Sequence, residues 1–195
     1  VIINIIKNTF FELGDAEALE LQFRGRVEVT PEEYLWVVRK KAADVEAHTR
    51  ISAILGGGSE EEIEALSEYG RLLGMMIILR DDLIDMIDLE EAMHRVKNEC
   101  LPLPILYALQ NPKIKSTLNS ILLKKTITKR DAKTVLEVTG KAGGLEHVEK
   151  LMQKLATDAY RSTGSLKQKG KFFELLSKAM LLPLSGQQNF TNPTI

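Results

Sequence analysis

The chain has a single cysteine, Cys100, among 195 residues. That excludes an intrachain disulfide and any metal site built from several thiolates, and it fits a cytoplasmic protein. No apolar run reaches the roughly 20 residues that span a bilayer, and no secretory signal opens the sequence. An excess of either charge is missing too. Lys+Arg total 26 against 27 Asp+Glu, a formal net charge of -1, so no overall basic field steers the chain toward nucleic acid. A small anion answers to local charge and stays open as a ligand. The glycine fingerprint of a dinucleotide-binding fold, the phosphate-binding glycine loop, the nucleophile elbow and zinc-spaced His/Cys clusters are all absent.

What remains is an ordinary globular balance, 44% hydrophobic and 27% charged, in a chain long enough for one domain with a sizeable core. Its periodicity is helical. The first residues, VIINIIKNTFFELG, carry apolar side chains at helical spacing with no initiator methionine, which reads as a chain entered partway through a helix. Thr30-Pro31-Glu32-Glu33 combines an N-cap, a proline at the first helical position and a glutamate three residues after the cap. One long helix is expected from there to Leu55. GGGS at 56–59 ends it, and Ser59 with Glu62 opens the next, antiparallel to it and running to about Met86. Gly70 and Gly74 share a face of that helix, where a neighbour can come close. Further helices are expected from Pro102 to Asn111-Pro112 and over about 113–123, 129–139, 145–163 and 170–181, with the last residues as a turn-rich tail. The fold class is all-α, an antiparallel helical bundle.

One stretch breaks the apolar pattern. MIILRDDLIDMIDLEEAM sets Asp81, Asp82 and Asp85 directly after a run of apolar residues. On a helix, Asp81 and Asp85 are four apart and Asp82 and Asp85 three apart, so each pair can converge on one ligand. Carboxylates this close repel one another, and the C-terminal end of a helix disfavours them further. A hard dication offsets that cost. Mg²⁺ suits such a set because it prefers oxygen, keeps several waters and bridges a few carboxylates to substrate phosphates. The plainer alternative is a solvated acidic face beside Arg80 and His94. Lys40, Asp44 and His48 follow at intervals of four on the upstream helix, where Lys40 with Lys41 reaches an anion held by the metal or Lys40 pairs with Asp44 on a solvated face. Lys97 follows the acids and can fold over a phosphate.

GRLLGMMIILRDDLID followed by LPLPILYAL resembles the second aspartate-rich region and subsequent helix of the trans-polyprenyl diphosphate synthases. YLWVVRKKAADVEAHTRISAILGG resembles the helix carrying that family's Lys-Thr pair. The similarity covers roughly residues 14 to 110 well and the later helices loosely. It implies the isoprenoid synthase fold, and a Mg²⁺-dependent prenyltransferase that condenses isopentenyl diphosphate with an allylic diphosphate held between two aspartate-rich motifs. Asp81, Asp82 and Asp85 match the acids of the second motif and its metal ligands. Lys40 matches the upstream diphosphate-facing lysine, Lys97 fits a second diphosphate-binding position after a shift in register, and Leu103-Pro104 match the opening of the next helix. The family also implies a homodimer.

The departures are specific. Lys41 stands where the family has threonine, Ile77 and Ile78 stand where it has Phe-Gln, and the segment between the acids and Pro104 has shrunk to DLEEAMHRVKNECLP. The first aspartate-rich motif and the basic isopentenyl-binding segment are missing from the sequence. The expectation is therefore the C-terminal portion of a single isoprenoid-synthase-like domain over 1–183, incomplete at its N-terminus, with a flexible tail over 184–195. Two functions follow: half of a synthase encoded in a longer protein, or a non-catalytic or regulatory helical subunit of a heteromeric synthase.

Overall fold

The computed structural model describes residues 1–167 and 169–180, so the proposed end of the domain at 183 and the tail over 184–195 lie outside the described residues. Among these residues there is no strand. The order is α1 (Ile2–Phe23), α2 (Pro31–Lys41), α3 (Ala43–Leu55), α4 (Glu60–Asp85), α5 (Leu89–Asn98), α6 (Leu103–Leu109), α7 (Pro112–Leu122), α8 (Lys129–Lys141), α9 (Gly144–Ser162), a short 3₁₀ turn (Thr163–Ser165) and α10 (Lys169–Met180). No helix among them is long and apolar enough to cross a membrane.

The starts of the helices follow the chemistry of their caps. Thr30, Ser59 and Thr128 each accept from the backbone N–H three residues on, while Glu33, Glu62 and Asp131 return the bond to the cap backbone. Two features differ from the sequence reading. The helix expected over 31–55 is two helices, jogged at Ala42 with ψ 0°. The jog falls at one of the places where α4 presses close, since a Cβ on Gly74 would stand 2.9 Å from that of Ala42. DLEEAMHRVKNECLP also contains a helix of its own, α5, which Asp88 caps through the amides of Glu90 and Glu91.

Helix α4 is the axis of the fold, packed along α3 on one side and α9 on the other. Gly70 makes the first contact possible. A Cβ there would overlap the Thr49 hydroxyl and lie 2.9 Å from both the Val45 carbonyl oxygen and Glu46 Cα. Met76, Leu79 and Leu83 of α4 meet Leu103, Ile105, Leu106 and Leu109 of α6 and Val148 and Met152 of α9 in one continuous apolar core. That core is what carries the acid-bearing last turn of α4 to the junction of α2, α5 and α6.

Candidate functional site

The three aspartates have three different surroundings. Asp81 is exposed, its side chain 55% accessible, and it accepts from Arg80 at 3.0 and 3.2 Å. Asp85 is half-buried and accepts from Arg95 Nη1 at 2.8 Å. Asp82 is only 1% exposed. Tyr34 Oη donates to its carboxylate, 2.9 and 2.8 Å from the two oxygens. Arg95 Nη2 donates to Oδ1 at 2.8 Å and the Leu103 backbone N–H to Oδ2 at 3.1 Å.

One carboxylate thus joins four helices. Tyr34 stands in the first turn of α2, Arg95 in α5, and Leu103 at the first position of α6, where the N-cap is Pro102 and no side chain caps the helix. Asp82 supplies the acceptor and negative charge that this uncapped N-terminus calls for. Its own place at the end of α4 is unfavourable for an acid, and Arg95 compensates. Burial pushes the Asp82 carboxyl above the usual aspartate range, while the Arg95 charge, the Leu103 amide and the Tyr34 hydroxyl pull it down. Burial also opposes the Arg95 charge, yet Asp82, Tyr34 and Asp85 outweigh it and raise the guanidinium pKa further. Arg95 and Asp82 stand at ion-pair distance, 2.8 Å. Burial and the Asp82 charge raise the Tyr34 pKa, which keeps the phenol a donor.

Beside this junction, α1, Lys41 and the end of α5 enclose a cleft of about 330 Å³. Glu17, Glu20 and Arg24 line it from α1, and Arg95, Glu99 and Cys100 from the other wall. Lys41 Nζ lies 2.7 Å from Glu20 and 3.6 Å from Glu17. Burial works against its charge, but Glu20 and Glu17 outweigh burial and raise its pKa above the usual lysine value. Burial, with Glu20 alongside, pushes the Cys100 thiol up to about 12. The thiol donates to Glu20 at 3.4 Å. The cleft therefore holds cations already matched by carboxylates that an incoming anion can displace.

The two lysines expected at the site stand apart from it. Lys40 pairs with Asp15 of α1 at 3.1 Å and lies over the Trp36 ring, so its expected partner at Asp44 is not engaged, and Lys41 faces the cleft instead. Lys97 is exposed on α5 and is not among the residues lining the cleft. Tyr34 and Arg95 are the participants that sequence reasoning missed, whereas Lys41 is expected beside Lys40 as able to reach an anion. Tyr34 carried one signal: it falls on the apolar stripe with Val37 and Val38, and a buried phenol needs a polar partner.

Among the described residues no group of three or more His, Cys, Asp or Glu side chains is placed to hold a metal ion. Asp82 is the reason, since both of its oxygens are engaged and it is shut off from solvent. Asp81 and Asp85, four apart on one face, fit a cation that needs only one or two carboxylates beside substrate phosphate.

The family model described as polyprenyl synthetase matches residues 1–139. A short chain isoprenyl diphosphate synthase of Methanothermobacter thermautotrophicus is 38% identical over 90 residues, covering 46% of this chain and 28% of that protein. Heptaprenyl diphosphate synthase component 2 of Bacillus subtilis is 28% identical over 167 residues, covering 78% of this chain and 47% of that one. The solved geranylgeranyl pyrophosphate synthase of Lactobacillus brevis superposes with a TM-score of 0.85 at 18% identity, over 92% of this chain and 60% of that one. The chain spans half or less of the length of these two curated relatives, and the structural likeness establishes the shared all-α fold.

Proposed function

This chain belongs to the polyprenyl synthetase family, and we propose that it supplies the diphosphate-handling side of a prenyltransferase that joins isopentenyl diphosphate to an allylic diphosphate. The observation that carries this reading is the ion-paired cleft beside the fixed aspartate turn. Lys41, freed from Glu20 and Glu17 by a more highly charged anion, holds the diphosphate with Arg24. Tyr34, Arg95 and the Leu103 amide hold Asp82, and Asp82 holds the turn that presents Asp81 and Asp85. Those two are the residues that would bind Mg²⁺, which when bound supplies positive charge to the leaving diphosphate. As the C1–O bond breaks, the electron pair leaves with the diphosphate, and Lys41 and Arg24 offset the charge that develops there. The double bond of isopentenyl diphosphate attacks C1, and a proton is lost to the released diphosphate.

A two-sided site needs a facing set of acids, and DDLID is the one Asp-Asp-x-x-Asp in the sequence. Under this proposal the second set comes from polypeptide outside these residues, of which 1–180 form part of one domain, or from a partner chain. The similarity to a protein named as component 2 favours a second reading, a subunit of a heteromeric synthase. Incorporation of labelled isopentenyl diphosphate into an allylic primer, with and without Mg²⁺, separates the two. Turnover by the purified full-length protein alone eliminates the subunit-only reading, and turnover only on adding a second component eliminates the self-sufficient one. Ile3, Ile6 and Phe10 are exposed at helical spacing on α1, which supports a homodimer. Sedimentation at several concentrations tests this, and an unchanging monomer mass rejects it.

A further inference from the structure

The near-zero net charge conceals a strong separation. Residues 1–99 hold 21 acidic against 11 basic side chains, and residues 100–195 hold 6 against 15. A local excess of one sign is felt by a charged surface, whatever the total. The basic excess gathers at the α7–α8 connection. Asp131, the one acid in the sequence from 113 to 133, is consumed there, capping α8 and holding Lys124 at 2.6 Å. Lys129 pairs with Glu90, which sets the start of α8 against the start of α5. Lys125, Arg130 and Lys133 are exposed and have no ion-pair partner among the described residues.

A large apolar side chain emerges in the same place: Leu123, next to Lys124, is 64% exposed. Cations around a protruding aliphatic group match a surface that offers negative headgroups above hydrocarbon, and a dissolved polyanion offers nothing to Leu123. We propose that the α7–α8 connection is a docking surface for an anionic lipid membrane. This does not depend on the reaction assigned to the cleft.

Flotation of the full chain with vesicles of phosphatidylcholine alone, or mixed with phosphatidylglycerol, at about 0.1 M salt tests it. Binding is expected only to the mixed vesicles. Lys125→Glu with Arg130→Glu lowers partition by roughly 25-fold or more, about fivefold for each cation lost. Leu123→Ser lowers it about fivefold or more by removing the inserted aliphatic group. Lys154→Glu with Lys167→Glu changes net charge equally at exposed positions outside this segment and leaves most of the binding. All these positions are exposed, and an unchanged circular dichroism spectrum verifies the fold. Failure of the unaltered chain to float with the mixed vesicles overturns the proposal. Equal loss in the Lys154/Lys167 variant overturns it in favour of net charge, and an unaffected Leu123→Ser variant overturns it in favour of a generic anion-binding surface.

Discussion

Replacing Asp82 by asparagine separates a structural carboxylate from a metal ligand. Asparagine keeps the size and one acceptor, so the Tyr34 and Leu103 donors at 2.8 and 3.1 Å from Oδ2 still find an oxygen. What is lost is the negative charge 2.8 Å from Arg95. Removing one partner of a buried ion pair costs about 3 to 5 kcal/mol. Arg95 keeps Asp85 at 2.8 Å, and its Nε stays 3.1 Å from Glu99, an ion-pair distance without hydrogen-bond alignment. The lower end, about 3 kcal/mol, therefore applies, and for a chain of this size it lowers the Tm by roughly 6 to 12 °C. Asp81→Asn removes an exposed charge and changes stability by about 0.5 kcal/mol or less. Thermal melts by circular dichroism, paired with calorimetric titration of Mg²⁺ and inorganic pyrophosphate, read both properties. Asp81→Asn is expected to weaken Mg²⁺-dependent pyrophosphate binding and leave the melt in place, whereas Asp82→Asn shifts the melt. An Asp82→Asn protein that melts like the unaltered chain but binds no Mg²⁺ refutes the reasoning and restores all three aspartates as ligands.

Three more outcomes are expected. Lys41→Ala lowers pyrophosphate affinity about tenfold, as loss of a charge-assisted hydrogen bond does, and Lys40→Ala leaves it unchanged in the same titration, because Lys40 is held by Asp15 at 3.1 Å. Gly70→Ala forces the α3–α4 crossing apart against Thr49 and Glu46, costing about 2 kcal/mol and roughly 4 to 8 °C in Tm, while Gly14→Ala, on an exposed helical position with nothing within 4 Å, is neutral or stabilising. Cys100, its thiol pushed up to about 12, resists iodoacetamide at pH 8 in the folded chain and is alkylated on unfolding, as read by mass spectrometry. The pH sign follows from that rise. The folded thiol holds its proton longer than the unfolded one, so its contribution to stability is complete below the ordinary thiol value near 9 and is lost as pH climbs from there toward 12.

The helices were legible because their signals are local. Thr30, Ser59 and Thr128 announce their own caps within four residues, and Gly70 and Gly74 announce a close crossing by a spacing of four. Helix α5 is harder to read because DLEEAMHRVKNECLP resembles a shortened linking segment, and its Asp88 cap stands close to three more conspicuous aspartates. The site itself was half legible for a physical reason. Spacing on a helix gives the direction of a side chain and nothing about what stands opposite it. Asp81, Asp82 and Asp85 differ only by turns of about 100° in sequence, yet one is solvated, one half-covered and one sealed. What seals Asp82 lies 48 residues upstream at Tyr34 and 13 and 21 residues downstream at Arg95 and Leu103.

The same limit explains the two lysines. Lys40 and Lys41 are adjacent and chemically identical, and the choice between them depends on which one α1 meets with Glu17 and Glu20 and which with Asp15. Those three acids lie on a single helix within six residues, so the rotational setting of α1 about its axis decides which acid meets which lysine. Residues that orient α1 therefore help decide which lysine faces the cleft. Glu12 is one of them: its carboxylate takes both terminal nitrogens of Arg71, at 2.9 and 3.2 Å, and Arg71 in turn donates to the Arg39 carbonyl at 2.7 Å. Arg71 is 8% exposed and is also paired with Glu46, so α1 is pinned to α2, α3 and α4 at one guanidinium. The cleft is set from a distance by a charge that never touches it.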